Sequence, residues 1–218
     1  MPARVIIVHG ATDSSRSFHA VANLLAEHEV ITYDRRGNGT ATDALSPSTT
    51  IADHVDDLIA VLDERPAVVV GHSLGGVVAM GAAIRRPDLV ASLAIYETAM
   101  PWASWWTAAA RAEMLEQIDT AIERSRTAGD SPRKQRAWAG CRIDVVSMFG
   151  TPFDWRALAS PLLVGVGTTN RAPSVEDSKR LARELPAQLI ELPGAPHHAH
   201  ITHPDLFAEL IERATDLS

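Results

Sequence analysis

The sequence predicts an α/β protein: a mostly parallel sheet covered by helices on both faces. Short Val/Ile-rich runs alternate with longer segments of helical spacing. The runs are continuously apolar rather than alternating, as expected of strands buried on both sides. A glycine-rich turn also joins one such run directly to a helical segment, near residue 73.

Residues 5–8 (Val-Ile-Ile-Val) form the first expected strand, bounded by His9-Gly10. Phe18, Val21, Leu24 and Leu25 give 17–27 helical spacing. Residues 30–33 form the next strand, closed by a loop over 34–39. The segment 50–63 is an amphipathic helix with Ile51, Val55, Leu58, Ile59 and Leu62 on one face. A third strand at 67–70 leads into a small-residue helix over 74–86, stopped by Pro87. A fourth strand spans 93–96. From 98 to 155 the rhythm breaks. This stretch holds all five tryptophans (Trp102, Trp105, Trp106, Trp138, Trp155), a helix candidate at 106–125 and a break at Gly129-Asp130-Ser131-Pro132. The rhythm resumes with a strand at 162–166, a helix at 175–185, a strand at 188–192 and a closing helix at 204–214. The expected organisation is a core of 1–97 and 156–218 with a helical cap, 98–155, inserted between.

Composition narrows the function classes. The 218 residues are 46% hydrophobic and 22% charged, ordinary for a globular protein. A net charge of −7 argues against general affinity for nucleic acid or an anionic membrane. The single cysteine, Cys141, excludes an internal disulfide and a multi-cysteine metal site. No apolar stretch is long enough to span a membrane, and residues 5–8 are too short for a signal peptide. A cytoplasmic protein acting on a small molecule is expected. No phosphate loop or other cofactor motif is present, since Gly37-Asn38-Gly39 lacks both the strand-to-helix setting and the lysine. Arg133, Lys134 and Arg136 read as a solvated face.

Gly71-His72-Ser73-Leu74-Gly75 fits the nucleophile-elbow pattern G-x-S-x-G, with a strand before it and a helix after it. The glycines allow a tight turn, and the new helix aims amide dipoles at a forming oxyanion. The expected N–H donors to that oxyanion are Leu74, after the serine, and Ala11, after His9-Gly10. His9 is expected to order that loop beside the substrate pocket.

These motifs resemble the α/β-hydrolase superfamily in content and order: Val-His-Gly at 8–10, Tyr-Asp-Arg-Arg-Gly-Asn-Gly at 33–39, Gly-His-Ser-Leu-Gly-Gly at 71–76 and Leu-Pro-Gly-Ala-Pro-His at 192–197. The resemblance implies that fold without its N-terminal hairpin, hence a sheet of about six strands. It also implies a base in the last loop, and similarity to the family's Gly-x-Gly-His loop selects His197. Pro196 replaces a glycine there, and His198 stands as the alternative. The competing reading of His197, His198, His200 and His203 as metal ligands lacks an accompanying carboxylate or cysteine pattern, so no metal is expected. His72 is expected to be structural.

The acid is displaced. Where the family resembles Gly-x-x-Asp, this chain reads Gly167-Thr168-Thr169-Asn170. The earlier segment Tyr96-Glu97-Thr98-Ala99-Met100-Pro101 is similar to that of haloalkane dehalogenases, which take their acid from this strand end. Glu97 is the implied acid, with Asn170 as a neutral orienting alternative. Ser73 in place of their aspartate nucleophile favours acyl transfer over halide displacement. Trp102, Trp105, Trp106 and Trp138 of the cap, with Met114 and Phe149, are candidate pocket walls. The expectation is hydrolysis of a small, largely apolar ester, thioester or lactone. Lyase, acyltransferase and cofactor-free cyclase chemistry on the same fold are the alternatives, with a non-catalytic ligand-binding protein as a further one.

Overall fold

In the computed structural model, which describes residues 1–41, 45–150, 153–170 and 172–218, six strands form one sheet. They are β1 (Arg4–Val8), β2 (Glu29–Tyr33), β3 (Ala67–His72), β4 (Val90–Tyr96), β5 (Leu162–Gly167) and β6 (Ala187–Leu192). Their spatial order is β2-β1-β3-β4-β5-β6, and every neighbouring pair is parallel. The predicted α/β class is the observed one.

Successive side chains of a strand face opposite sides, which divides the apolar residues between two cores. Val5 and Ile7 join Phe18, Val21, Phe207 and Leu210 beneath α1 (His19–Leu24) and the closing helix Pro204–Thr215. Ile6 and Val8 join Leu58, Leu62, Val77 and Met80 beneath α2 (Ile51–Leu62) and α3 (Leu74–Arg85). Leu181 of α6 (Pro173–Glu184) belongs to this second core. Each such side chain contributes about 1.5–3 kcal/mol by leaving water. β1 is flanked by β2 on one side and β3 on the other, so the chain changes direction of travel across the sheet there. Such a switch opens a crevice at the C-terminal ends of the strands.

Three local departures have physical causes. β4 starts at Val90 rather than at residue 93, because the polar Ser92 is buried with its hydroxyl donating to the Ala214 carbonyl at 2.6 Å. The expected helix at 17–27 divides into a 3-10 turn, Ser15–Phe18, and α1. Between β4 and β5 lie two helices packed together, α4 (Ala108–Thr127) and α5 (Pro132–Met148), where only one was expected. α4 begins after Thr107, whose hydroxyl accepts from the Ala110 amide at 3.1 Å. The Ser131-Pro132 break is the start of α5, with Ser131 capping and Pro132 in the first turn. Its buried stripe, Gly140, Cys141, Asp144, Val145 and Met148, includes a glycine and an aspartate, which conceal the helical period. Among the described residues no helix is long and apolar enough to cross a membrane.

Candidate active site

Ser73 follows β3 and caps α3 with φ 53° and ψ −123°, a left-handed backbone that side chains rarely adopt. Such strain costs about 1–3 kcal/mol and persists only where its surroundings impose it. Here the Ser73 amide donates to Tyr96 O at 2.8 Å, and its carbonyl accepts from the Gly76 amide at 2.9 Å. A Cβ on Gly71 would meet Gly75 O and Gly76 N at 2.6 Å, and one on Gly75 would run into the Val8 and His9 carbonyls. Gly71 is therefore required for the turn to close on itself, and Gly75 for it to sit against the end of β1. Thr12 (φ 55°) and Glu97 (φ 47°) are strained in the same sense, each just beyond a strand's C-terminal end.

Glu97 directly follows β4, and its side chain is fully buried. His197 Nδ1 lies 2.6 Å from its Oε2, Asn170 Nδ2 donates to the same oxygen at 2.5 Å, and the Gly167 amide donates to Oε1 at 2.9 Å. Burial alone would push this carboxyl up. The bonds from His197, Asn170 and Gly167 outweigh it and hold Glu97 below the usual carboxylate range. Glu97 thus bonds the imidazole directly, whereas Asn170 bonds Glu97. An aspartate at 170 would set a second carboxylate against Glu97; the asparagine supplies a donor instead. His198 is exposed, and its ring packs edge-on to His197 at 5.2 Å.

The loop carrying His197 is fixed from below. Tyr96 Oη donates to Pro196 O at 2.9 Å, Thr169 Oγ1 to Ala195 O at 2.9 Å, and His72 Nε2 to His197 O at 2.8 Å. Burial, reinforced by the neighbouring imidazoles of His200 and His197, holds His72 well below the usual histidine range. His72 is a neutral strut, in keeping with the structural role expected of it. His200 pairs with Asp13 at 3.1 Å. Among the described residues, Asp13, His72 and His200 are the group whose ligand-type atoms converge, within 4.8 Å of one another. His197, His198 and His203 are not part of that group.

Two cavities meet at Ser73 and His197. One, of about 380 Å³, is lined also by Ala11, Leu74, Ile118, Trp138, Cys141 and Met148. The other, of about 670 Å³, is lined also by Trp105, Trp106, Asn170, Asp177 and Arg180. Two expectations need correction. Trp102 lines neither cavity; it is buried in the core, edge-on to Phe153 at 5.3 Å. His9 is not a pocket wall either. It is buried beneath the loop after β1, its Nε2 accepting from the Arg35 amide at 2.9 Å. Burial, then the Arg35 charge, lowers its pKa to about 4.

Two buried charged groups escaped the sequence reading. Asp177 of α6 accepts from the Met100 amide at 2.7 Å, Trp105 Nε1 at 2.6 Å and Trp106 Nε1 at 2.7 Å. Two neighbouring tryptophans, each with an indole N–H needing an acceptor when buried, were the available signal. Arg35, after β2, is 1% exposed and pairs with Asp144 of α5 at 3.2 Å. Nothing in the sequence distinguishes Arg35 from Arg36, which forms a partly exposed pair with Asp57.

A family model described as "Alpha/beta hydrolase family" matches residues 5–210, and the chain belongs to that family. The lipase LipV of Mycobacterium tuberculosis is 42% identical over 102 residues, which are 45% of this chain and 38% of that protein. The chain thus spans well under half the length of this relative. An sn-1-specific diacylglycerol lipase, ABHD11 of Danio rerio, is 28% identical over 95% of this chain and 77% of its own. Among solved structures, a putative lipase from Acinetobacter baumannii aligns with TM-score 0.78 at 16% identity, covering 99% of this chain and 84% of that one. That last likeness concerns the fold.

Proposed function

We propose that this chain is a serine hydrolase that cleaves a small, largely apolar ester, thioester or lactone through an acyl-enzyme on Ser73. The observation that carries the reading is the 2.6 Å contact of His197 Nδ1 with a buried, ionised Glu97, at the cavities where Ser73 emerges from its strained turn. With Nδ1 held by Glu97, Nε2 of His197 is free to take the Ser73 proton. Ser73 Oγ attacks the substrate carbonyl, and the resulting oxyanion accepts from the Ala11 and Leu74 amides. Each such donor is worth about 3 kcal/mol in the transition state. The imidazolium, stabilised by Glu97, returns its proton to the leaving group. Water then repeats the sequence on the acyl-enzyme.

The cavities divide the substrate. The smaller one has Ala11 and Leu74 beside apolar walls from α4 and α5, and takes the acyl group. The larger one, with Asn170 and Arg180 among its walls, takes the leaving group. Residues 98–155 act as a cap that supplies Trp105 and Trp106 to the larger cavity and the α4 and α5 walls to the smaller. The names of LipV and ABHD11 agree with ester cleavage. A fluorophosphonate probe labels the wild type and not Ser73→Ala; equal labelling of both removes Ser73 from the nucleophile role.

A further inference from the structure

A peptide unit is planar and trans, so its C=O and N–H point in opposite directions. The Gly10–Ala11 unit carries the Gly10 carbonyl at one end and the Ala11 amide at the other. Whatever fixes Gly10 O therefore aims Ala11 N–H.

Gly10 O is held by two donors. Arg35 Nη2 donates to it at 3.0 Å and His9 Nδ1 lies 2.8 Å away, enough to occupy both lone pairs. With Nδ1 donating, His9 Nε2 is the acceptor, and it receives the Arg35 amide at 2.9 Å. Arg35 Nε closes the set on His9 O at 3.0 Å. Arg35 thus makes three hydrogen bonds to His9 and Gly10, from its backbone and from two guanidinium nitrogens. The remaining arm, Nη1, bonds Asp144 Oδ2 at 3.2 Å. Asp144 lies on α5, which also provides Cys141, Val145 and Met148 to the smaller cavity. His54 Nε2, from α2, sits 2.8 Å from the other Asp144 oxygen. The guanidinium, carboxylate and imidazole are all at most 1% exposed. Gly10 completes the geometry, because a Cβ there would press on Ser73 Cβ at 3.1 Å.

We propose that Arg35 is a positioning residue: by gripping the Gly10 carbonyl it aims the Ala11 amide at the oxyanion on Ser73, and through Asp144 it locks that aim to the helix walling the acyl cavity. This rests on the serine hydrolase reading. A lysine cannot reproduce it, since one ammonium cannot hold two carbonyls and a carboxylate in the planar fork of arginine.

The test compares wild type, Arg35→Lys and Asp144→Asn in steady-state hydrolysis of a p-nitrophenyl ester. It adds inhibition by an alkyl boronic acid, which forms a tetrahedral adduct on the serine. Thermal melting records stability separately. Loss of one oxyanion donor lowers kcat by about 10²–10³-fold. A misaimed donor costs less, so Arg35→Lys is expected to lose about 10–100-fold in kcat with KM within about 3-fold. Boronate affinity falls in parallel. Asp144→Asn, which keeps the grip on Gly10 but loosens its anchor, loses about 3–10-fold in kcat on the same argument. Lowered melting temperatures with unchanged kcat in both variants would reduce Arg35 to a packing element and overturn the proposal. A rise in KM alone would overturn it too, as would a fall in kcat with boronate affinity unchanged. Should Arg35→Lys fail to fold, Asp144→Asn decides by the same criteria. If the wild type neither binds the boronate nor shows Ser73-dependent fluorophosphonate labelling, the hydrolase reading itself falls, a result distinct from any variant effect.

Discussion

Glu97 and Asp177 are both buried carboxylates close to the cavities, and each has three hydrogen-bond donors. They titrate in opposite directions. Burial pushes both up, but Glu97 ends below its ordinary value and Asp177 above. The donors to Asp177 are a backbone amide and two indoles, which stay neutral. One donor to Glu97 is the imidazole of His197, which under the proposed mechanism gains a proton and a charge as the base. Arg180 also favours the Asp177 anion, but only as the smallest of the contributions and without outweighing burial. What separates the two acids is the balance of bonds against burial: the bonds to Glu97, led by that from His197, outweigh its burial, and those to Asp177 do not. At the strand end the arrangement suits stabilising an imidazolium; on α6 it suits holding Trp105 and Trp106 in place.

The largest test of this contrast is turnover. Glu97→Gln keeps the shape and loses the charge, so kcat/KM for a p-nitrophenyl ester is expected to fall by about 10³–10⁴-fold. Asp177→Asn disturbs the tryptophan wall, and its loss should be about 10-fold or less, mainly in KM. The reverse ranking would transfer the acid role to α6 and dissolve the distinction.

The two carboxylates also differ in how readable they were. Glu97 stands beside Tyr96 and ahead of Met100-Pro101, so a local motif exposed it. Ser73 was equally legible, because strand, turn and helix are contiguous there. Asp177 and Asp144 have no such context. Each meets its partners across more than 70 residues of sequence, Trp105 and Trp106 in one case and Arg35 and His54 in the other. Pairing at that separation is a product of the fold and leaves no local trace. The inner strands β1, β3, β4 and β5 were legible because burial on both faces writes continuous apolar runs, whereas the edge strands β2 and β6 are partly exposed. α5 was not legible, since it buries Gly140 and Asp144 in the positions where apolar residues would have revealed the period. Trp102 shows the opposite error, an aromatic read as a pocket wall that the core absorbs.

A middle-sized effect is expected at Asn170, whose amide is one of the three donors to Glu97. Asn170→Asp replaces a donor by a second carboxylate at bonding distance, and two such groups cannot both ionise cheaply. The cluster then holds an extra proton as a unit. The acid limb of the kcat/KM profile is expected to move to higher pH, with roughly a 10-fold loss at neutrality, each full unit of that movement being tenfold on the limb. Asn170→Ala should lower activity without moving the limb. An unmoved limb in Asn170→Asp would mean that the charge on Glu97 is set by His197 alone.

The smallest effect is on stability, and there the two acids should give slopes of opposite sign. The folded-state value of Glu97 is depressed, so its ionisation stabilises the fold above its ordinary value of 4.5; that contribution is lost as pH falls through the lower folded value. Asp177 is raised, so its contribution is complete below its ordinary value of 3.8 and is lost as pH rises through the higher folded value. Melting curves of wild type, Glu97→Gln and Asp177→Asn across the acid range separate the two. The advantage of wild type over Glu97→Gln should grow with rising pH, while its advantage over Asp177→Asn should shrink. The scale is a few degrees, since about 1 kcal/mol moves Tm by about 2–4 °C in a domain of this size. Parallel slopes would mean that both carboxylates answer to burial alone, and that the imidazole bonded to Glu97 adds nothing that an indole does not.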